Sequence, residues 1–197
     1  MKKIIILSLI FLLIGCVYAG EYSTVNVGGV NFEIPSEYSG GNVKSNQYVY
    51  KDLRTFAILC VDDYLVNNFG GWASTCDYAQ EISIDGRPCM LLIMYNKYID
   101  ANVSYLYFPV NKSVYCICFK SDNITPEISH IVETAPDYNM SSDTFYGLLD
   151  EAYDKYKERQ FWDASNDDTY DYISEQNSHE NNRDEQFIKW FILTQIM

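Results

Sequence analysis

Apolar and polar positions alternate with a period of two from residue 25, where Val25 and Val27 are followed by Gly28-Gly29 and then by Val30, Phe32 and Ile34 before Pro35. Period two is the signature of a half-buried strand. Adjacent glycines supply the positive φ that a two-residue primed turn requires, and proline cannot donate to a ladder, so residues 25–35 predict a β-hairpin closed at Pro35. Further strands are expected over residues 47–51 and 55–61, separated by a turn at Asp52-Leu53-Arg54. Later ones fall over 81–84, 89–96, 102–110 and 113–120, with a turn at Asp85-Gly86, most of them rich in Val, Ile, Tyr and Phe. Residues 64–80 are mixed and predict one or two short helices around a loop at Gly70-Gly71.

The period then changes. Thr125 caps and Pro126 opens a helix over residues 126–135, whose Ile128, Ile131, Val132 and Ala135 form one stripe. A second helix is expected over residues 143–161, with Ser142 as cap and Phe145, Leu148, Leu149, Ala152, Tyr153 and Tyr156 on its apolar face. Its other face carries Asp150, Glu151, Asp154, Lys155, Lys157 and Glu158. Strands followed by helices give an α+β fold: a largely antiparallel sheet of seven or eight short strands covered by helices, with a long amphipathic helix and an acidic tail.

Val30-Asn31-Phe32-Glu33-Ile34-Pro35 followed by Tyr38 resembles the opening of PsbP and Mog1-like α/β domains, and the whole chain resembles uncharacterised secreted proteins of methanogenic archaea. The resemblance covers residues 22–136. It implies a fold and a tendency to bind partners, and it carries over no active-site residue.

The first nineteen residues change the picture most. Lys2 and Lys3 precede an apolar run over residues 4–14 and then Val17-Tyr18-Ala19, the form of a secretory signal peptide; a spanning helix needs roughly 20 apolar residues. Export is expected, with a mature start near Gly20. Leu13-Ile14-Gly15-Cys16 also has the form of a lipobox, so lipidation of Cys16 and retention as an N-terminal anchor compete with release.

The 197-residue chain has formal charge −13 with its bases scattered, which gives no electrostatic support to a nucleic-acid groove. Residues 162–186 are acidic and too poor in apolar side chains to offset the entropy of ordering. Within them Asp163, Ser165, Asp167, Thr169 and Asp171 alternate as calcium ligands do, but Asp168 replaces the turn glycine and Ser174 the closing glutamate, so a solvated linker is the reading. Residues 187–197 are apolar and need a cover: the protein's own core, a membrane or a partner.

Chemistry-bearing residues are few. Cys60, Cys76, Cys89, Cys116 and Cys118 are disulfide candidates in an exported chain, with Cys116 and Cys118 on one strand face and so better bonded elsewhere; reduced buried thiols are the rival state, and no paired zinc spacing is present. A thiol nucleophile needs a base. The two histidines are His130, inside a helix stripe, and His179, in the acidic segment. Asp62, Asp63, Asp77 and Asp85 could serve a hydrolase only by converging. Asn102, Asn111, Asn123 and Asn139 head glycosylation sequons and mark expected surface turns. The chain therefore reads as an exported, non-enzymatic binding or interaction module at the cell envelope. No cofactor is expected, and the partner is an unknown protein or envelope polymer, with a possible membrane contact through residues 1–19 or 187–197. Rival readings are a secreted hydrolase or thiol-dependent enzyme, which requires a concave pocket holding His130 or several carboxylates, and a structural envelope protein. Binding requires an open, tyrosine-rich sheet face.

Overall fold

The computed structural model describes residues 21–166. Residues 1–20, with the expected signal segment and Cys16, most of the acidic segment with His179, and the apolar residues 187–197 lie outside the described residues. The chain divides into two compact units between Lys157 and Glu158.

Nine strands are described: β1 Tyr22–Val27, β2 Val30–Pro35, β3 Asn42–Lys44, β4 Gln47–Tyr50, β5 Phe56–Cys60, β6 Tyr78–Ile84, β7 Arg87–Asn96, β8 Ala101–Val110 and β9 Ser113–Phe119. Helices are α1 Leu65–Ala73, α2 Pro126–Glu133 and α3 Ser142–Asn166. The protein is α+β. Seven strands form one antiparallel sheet in the order β3-β4-β5-β9-β8-β7-β6, and β1 with β2 forms a separate two-stranded sheet.

The expected hairpin is present, with Val27 paired to Val30 and both glycines at positive φ, 58° and 83°. Asp85 and Gly86 close β6 onto β7 in the same way, at φ 49° and 78°. The hairpin does not extend the main sheet. Instead Val27, Val30, Phe32 and Ile34 bury themselves on one face of it beside Ile128, Ile131 and Val132 of α2. The opposite face receives α1 and α3 through Phe69, Phe145, Leu149 and Ala152. Alternation along β9 sorts side chains between the layers: Tyr115, Ile117 and Phe119 face the hairpin, Val114, Cys116 and Cys118 face the helices. Each large apolar side chain so buried contributes about 1.5–3 kcal/mol.

Helix α2 is held as expected, with the Thr125 hydroxyl accepting from the Ile128 N–H and Pro126 in the first turn. Four expectations need correction. Helix α1 continues through Gly70 and Gly71, because Gly70 serves close packing and not a loop: a Cβ on Gly70 would lie 2.5 Å from Tyr156 Cβ in α3. Strand β3 was not expected, since all three of its residues are exposed and carry no alternating pattern. Helix α3 is capped by Ser141, whose hydroxyl accepts from the Thr144 N–H at 3.2 Å, one residue before the expected cap. It also runs to Asn166, so Asp163 and Ser165 are helical and do not begin a linker or a calcium loop.

Candidate functional site

At the far edge of the sheet, β6 and β7 carry two tyrosines that water still reaches. Tyr78 sits opposite Ile93, and Tyr95 is two residues further along β7, so both rings emerge on one face at the diagonal spacing of neighbouring strands, about 7–8 Å. They are 50% and 53% exposed. Both are nonetheless fixed at their tips. The Tyr78 hydroxyl donates to Gln80 Oε1 at 3.0 Å, and the Tyr95 hydroxyl donates to Asp100 Oδ1 at 2.5 Å. By accepting that hydrogen bond, the Asp100 carboxylate holds the Tyr95 phenol above its ordinary range. Asp77 accepts the Tyr95 backbone N–H at 2.7 Å and ties the two strands at this corner. Tyr98, 54% exposed in the turn after β7, has the Arg54 guanidinium 5.4 Å and the Lys97 ammonium 5.6 Å from its ring centroid. The corner thus presents rigid aromatic faces ringed by amide, carboxylate and cationic groups, which suits contact with a polymer or protein surface.

The residues singled out for catalysis do not gather. Asp77 and Asp85 flank β6 eight positions apart, roughly 26 Å along an extended strand. Asp62 lies at the same end as Asp85, yet β5 and β6 are four strand spacings apart, roughly 19 Å. Asp62 accepts the Val114 N–H at 2.7 Å, a structural task. His130 stacks on Tyr22 with centroids 3.9 Å apart and pairs its Nε2 with Glu33 at 3.0 Å, joining α2 to the hairpin. Among the described residues no group of three or more His, Cys, Asp or Glu side chains is placed to hold a metal ion.

All five described cysteines stand as thiols. Cys116 and Cys118 project from one face of β9 with sulfurs 3.9 Å apart, both buried. Burial pushes the Cys89 thiol up to about 12 and that of Cys116 well above the usual range, the latter helped by its neighbour Cys118. Cys60 and Cys76 are half-buried and also raised, by burial first. At these four positions the thiolate is therefore disfavoured, the reverse of a reactive site. With a thiol-specific reagent at mildly alkaline pH, Cys60 and Cys76 should react slowly in the folded chain and the other three only after unfolding. Rapid labelling of Cys89 or Cys116 would contradict this burial.

The sequon asparagines are spread over the surface. Asn111, Asn123 and Asn139 are exposed outside the helices and strands, whereas Asn102 is half-buried within β8, paired with Tyr95. A glycan on Asn102 would therefore cover the tyrosine corner.

The buried polar residues Asn68, Arg87 and Ser104 are not among the candidate residues of the sequence. Asn68 of α1 accepts the hydroxyl of fully buried Tyr107 at 2.7 Å, and Arg87 reaches three backbone carbonyls. Their only sequence signal is a polar side chain amid apolar neighbours. Tyr107→Phe should cost about 1–3 kcal/mol, because it strands the Asn68 amide in an apolar layer; denaturant unfolding measures this, and an unchanged midpoint would contradict the burial of that amide. The chain matches no family model, no curated protein and no solved structure.

Proposed function

We propose that this chain is an exported, non-enzymatic binding module of the cell envelope that engages its partner, a protein or an envelope polymer, through the tyrosine corner of β6 and β7. The observation that carries this reading is the pair Tyr78 and Tyr95, half exposed yet each tethered through its hydroxyl. A rigid, amphipathic ring yields contact area with little loss of side-chain entropy on binding. The resemblance to PsbP and Mog1-like domains and to secreted proteins of methanogenic archaea belongs to the same proposal. So do an amphipathic helix over residues 143–161, an acidic spacer, and membrane contact through either terminus. The enzyme reading finds less support, since Asp62, Asp77 and Asp85 are far apart and His130 serves α2 and the hairpin.

Two experiments test this. Intact mass of the protein recovered from its own host is expected to give a soluble form starting near Gly20; lipid on Cys16, or a retained leader, would replace release by anchoring. Cosedimentation of the full chain with envelope material from that host is expected to weaken at least ~tenfold, about 1.4 kcal/mol, in a Tyr78→Ala/Tyr95→Ala variant with unchanged thermal unfolding. Equal binding by the variant would overturn the assignment to this corner.

A further inference from the structure

Strand β6 is the last strand of the seven-stranded sheet, and among the described residues no strand pairs with its far side. The turn at Asp85 and Gly86 fixes which of its backbone groups are already bonded. Residues flanking a two-residue hairpin loop exchange hydrogen bonds, and bonded and non-bonded pairs then alternate along the ladder. With Ile84 opposite Arg87 and Tyr78 opposite Ile93, the residues bonded to β7 are Ile84, Ile82, Gln80 and Tyr78. The Tyr95 N–H, aimed across β7 at the Asp77 side chain, agrees with this phase. The N–H and C=O groups of Ser83, Glu81 and Ala79 therefore point out of the sheet, and all three residues are exposed.

Native edges are commonly blunted by lysine, proline, a bulge or shortness. β6 has none of these: it runs for seven residues in unbroken register with no proline or lysine. What it carries is negative charge. Asp77, Glu81 and Asp85 recur at four-residue intervals along this edge, and the next base, Arg87, is buried. That stripe discriminates between occupants. A second copy pairing antiparallel over the full strand would set Glu81 against Glu81 and Asp77 against Asp85, like charges directly opposite, in a chain of formal charge −13. An extended segment bearing Lys or Arg at alternate positions meets complementary charge along the same line.

Resting on the binding-module reading and deepening it, we propose that β6 takes up an extended basic segment of a partner protein by strand addition. The segment hydrogen-bonds to Ala79, Glu81 and Ser83, sets its cations toward Asp77, Glu81 and Asp85, and lays its uncharged side chains beside Tyr78.

The test uses the full chain and a short peptide of alternating Lys and Val, about ten residues long so as to span the strand, at physiological ionic strength. Amide hydrogen exchange at Ala79, Glu81 and Ser83 is expected to slow roughly tenfold or more at saturation. Ala79→Pro removes an N–H that the β6–β7 ladder does not use, so it should abolish the protection while leaving thermal unfolding in place. Unchanged exchange at these amides, or equal peptide affinity in Ala79→Pro, would overturn the proposal, the latter by reducing it to adhesion through charge. Protection of the same amides on concentration alone, with a doubled mass, would overturn the choice of a foreign segment in favour of a second copy. If the double tyrosine variant loses envelope binding while Ala79→Pro retains it in full, the binding-module reading stands and strand addition as its mode falls.

Discussion

Replacing Arg87 by methionine is expected to lower the unfolding free energy by about 4 kcal/mol and the midpoint of thermal unfolding by roughly 12 °C for a unit of this size. Arg87 is 6% exposed, and burial lowers its pKa. Nη1 donates to the Pro109 carbonyl at 2.5 Å, and Nη2 donates to those of Ala135 and Pro136 at 2.9 and 3.0 Å. The ring of Tyr138 lies against the guanidinium, 4.9 Å to its centroid. The need for this side chain arises in the strands themselves. Extending the register from Met90 opposite Tyr107 by two residues sets Pro88 against Pro109, where neither can donate to the ladder. Arg87 supplies the donor that Pro88 lacks, and with its other nitrogen fastens the chain leaving α2 to β7. Methionine fills part of the volume and satisfies no carbonyl. Arg87→Lys restores a single charged donor and should fall between the two, because an ammonium cannot reach three carbonyls in the fixed fork of a guanidinium. A loss below about 1 kcal/mol for the methionine variant would mean that these carbonyls find water instead.

The second large effect is a contrast between neighbours. Gly70→Ala places a methyl group 2.5 Å from Tyr156 Cβ and 2.9 Å from the Ala152 carbonyl oxygen. Both obstacles belong to the backbone of α3 or sit next to it, so α1 and α3 must separate. The cost is about 3 kcal/mol of overpacking less about 1 kcal/mol of gained helix propensity, a net loss near 2 kcal/mol. At Gly71 the nearest atoms to the same methyl group are those of the Tyr156 ring and hydroxyl, at 3.7 Å and beyond. Gly71→Ala should therefore be neutral or stabilising, by up to ~1 kcal/mol. Denaturant titration of the two variants checks the sign of each. Equal effects would show that Gly70 is not the point of closest approach.

Much of the architecture was legible where local chemistry admits one conformation. Gly28-Gly29 and Asp85-Gly86 specify primed turns, and Thr125 with Pro126 specifies a helix start; each stands where the residues put it. The partition into layers was not legible. β7, β8 and β9 read as near-continuous apolar runs because both faces of the sheet are covered, and such runs do not tell which side meets a hairpin and which meets helices. Gly70 and Gly71 carry the sequence signal of a loop yet stand in a helix, where Gly70 has the tertiary task of a close helix contact that only the approach of α3 reveals. The same holds for the site. A tyrosine-rich sheet suggests binding, yet Tyr105, Tyr107 and Tyr115 are buried while Tyr78 and Tyr95 are exposed. That selection depends on β6 being the edge strand, which no pattern along the chain encodes.

The most direct measurement is a footprint: amide and tyrosine-ring resonances of the full chain, recorded while soluble envelope fragments from its own host are added. Perturbations centred on Tyr78, Tyr95 and the Asp100 turn, with the α2 face and the Cys116–Cys118 layer unmoved, are the predicted result. A footprint centred on His130 and the β1–β2 hairpin, or no perturbation at saturating fragment, would contradict binding through the tyrosine corner.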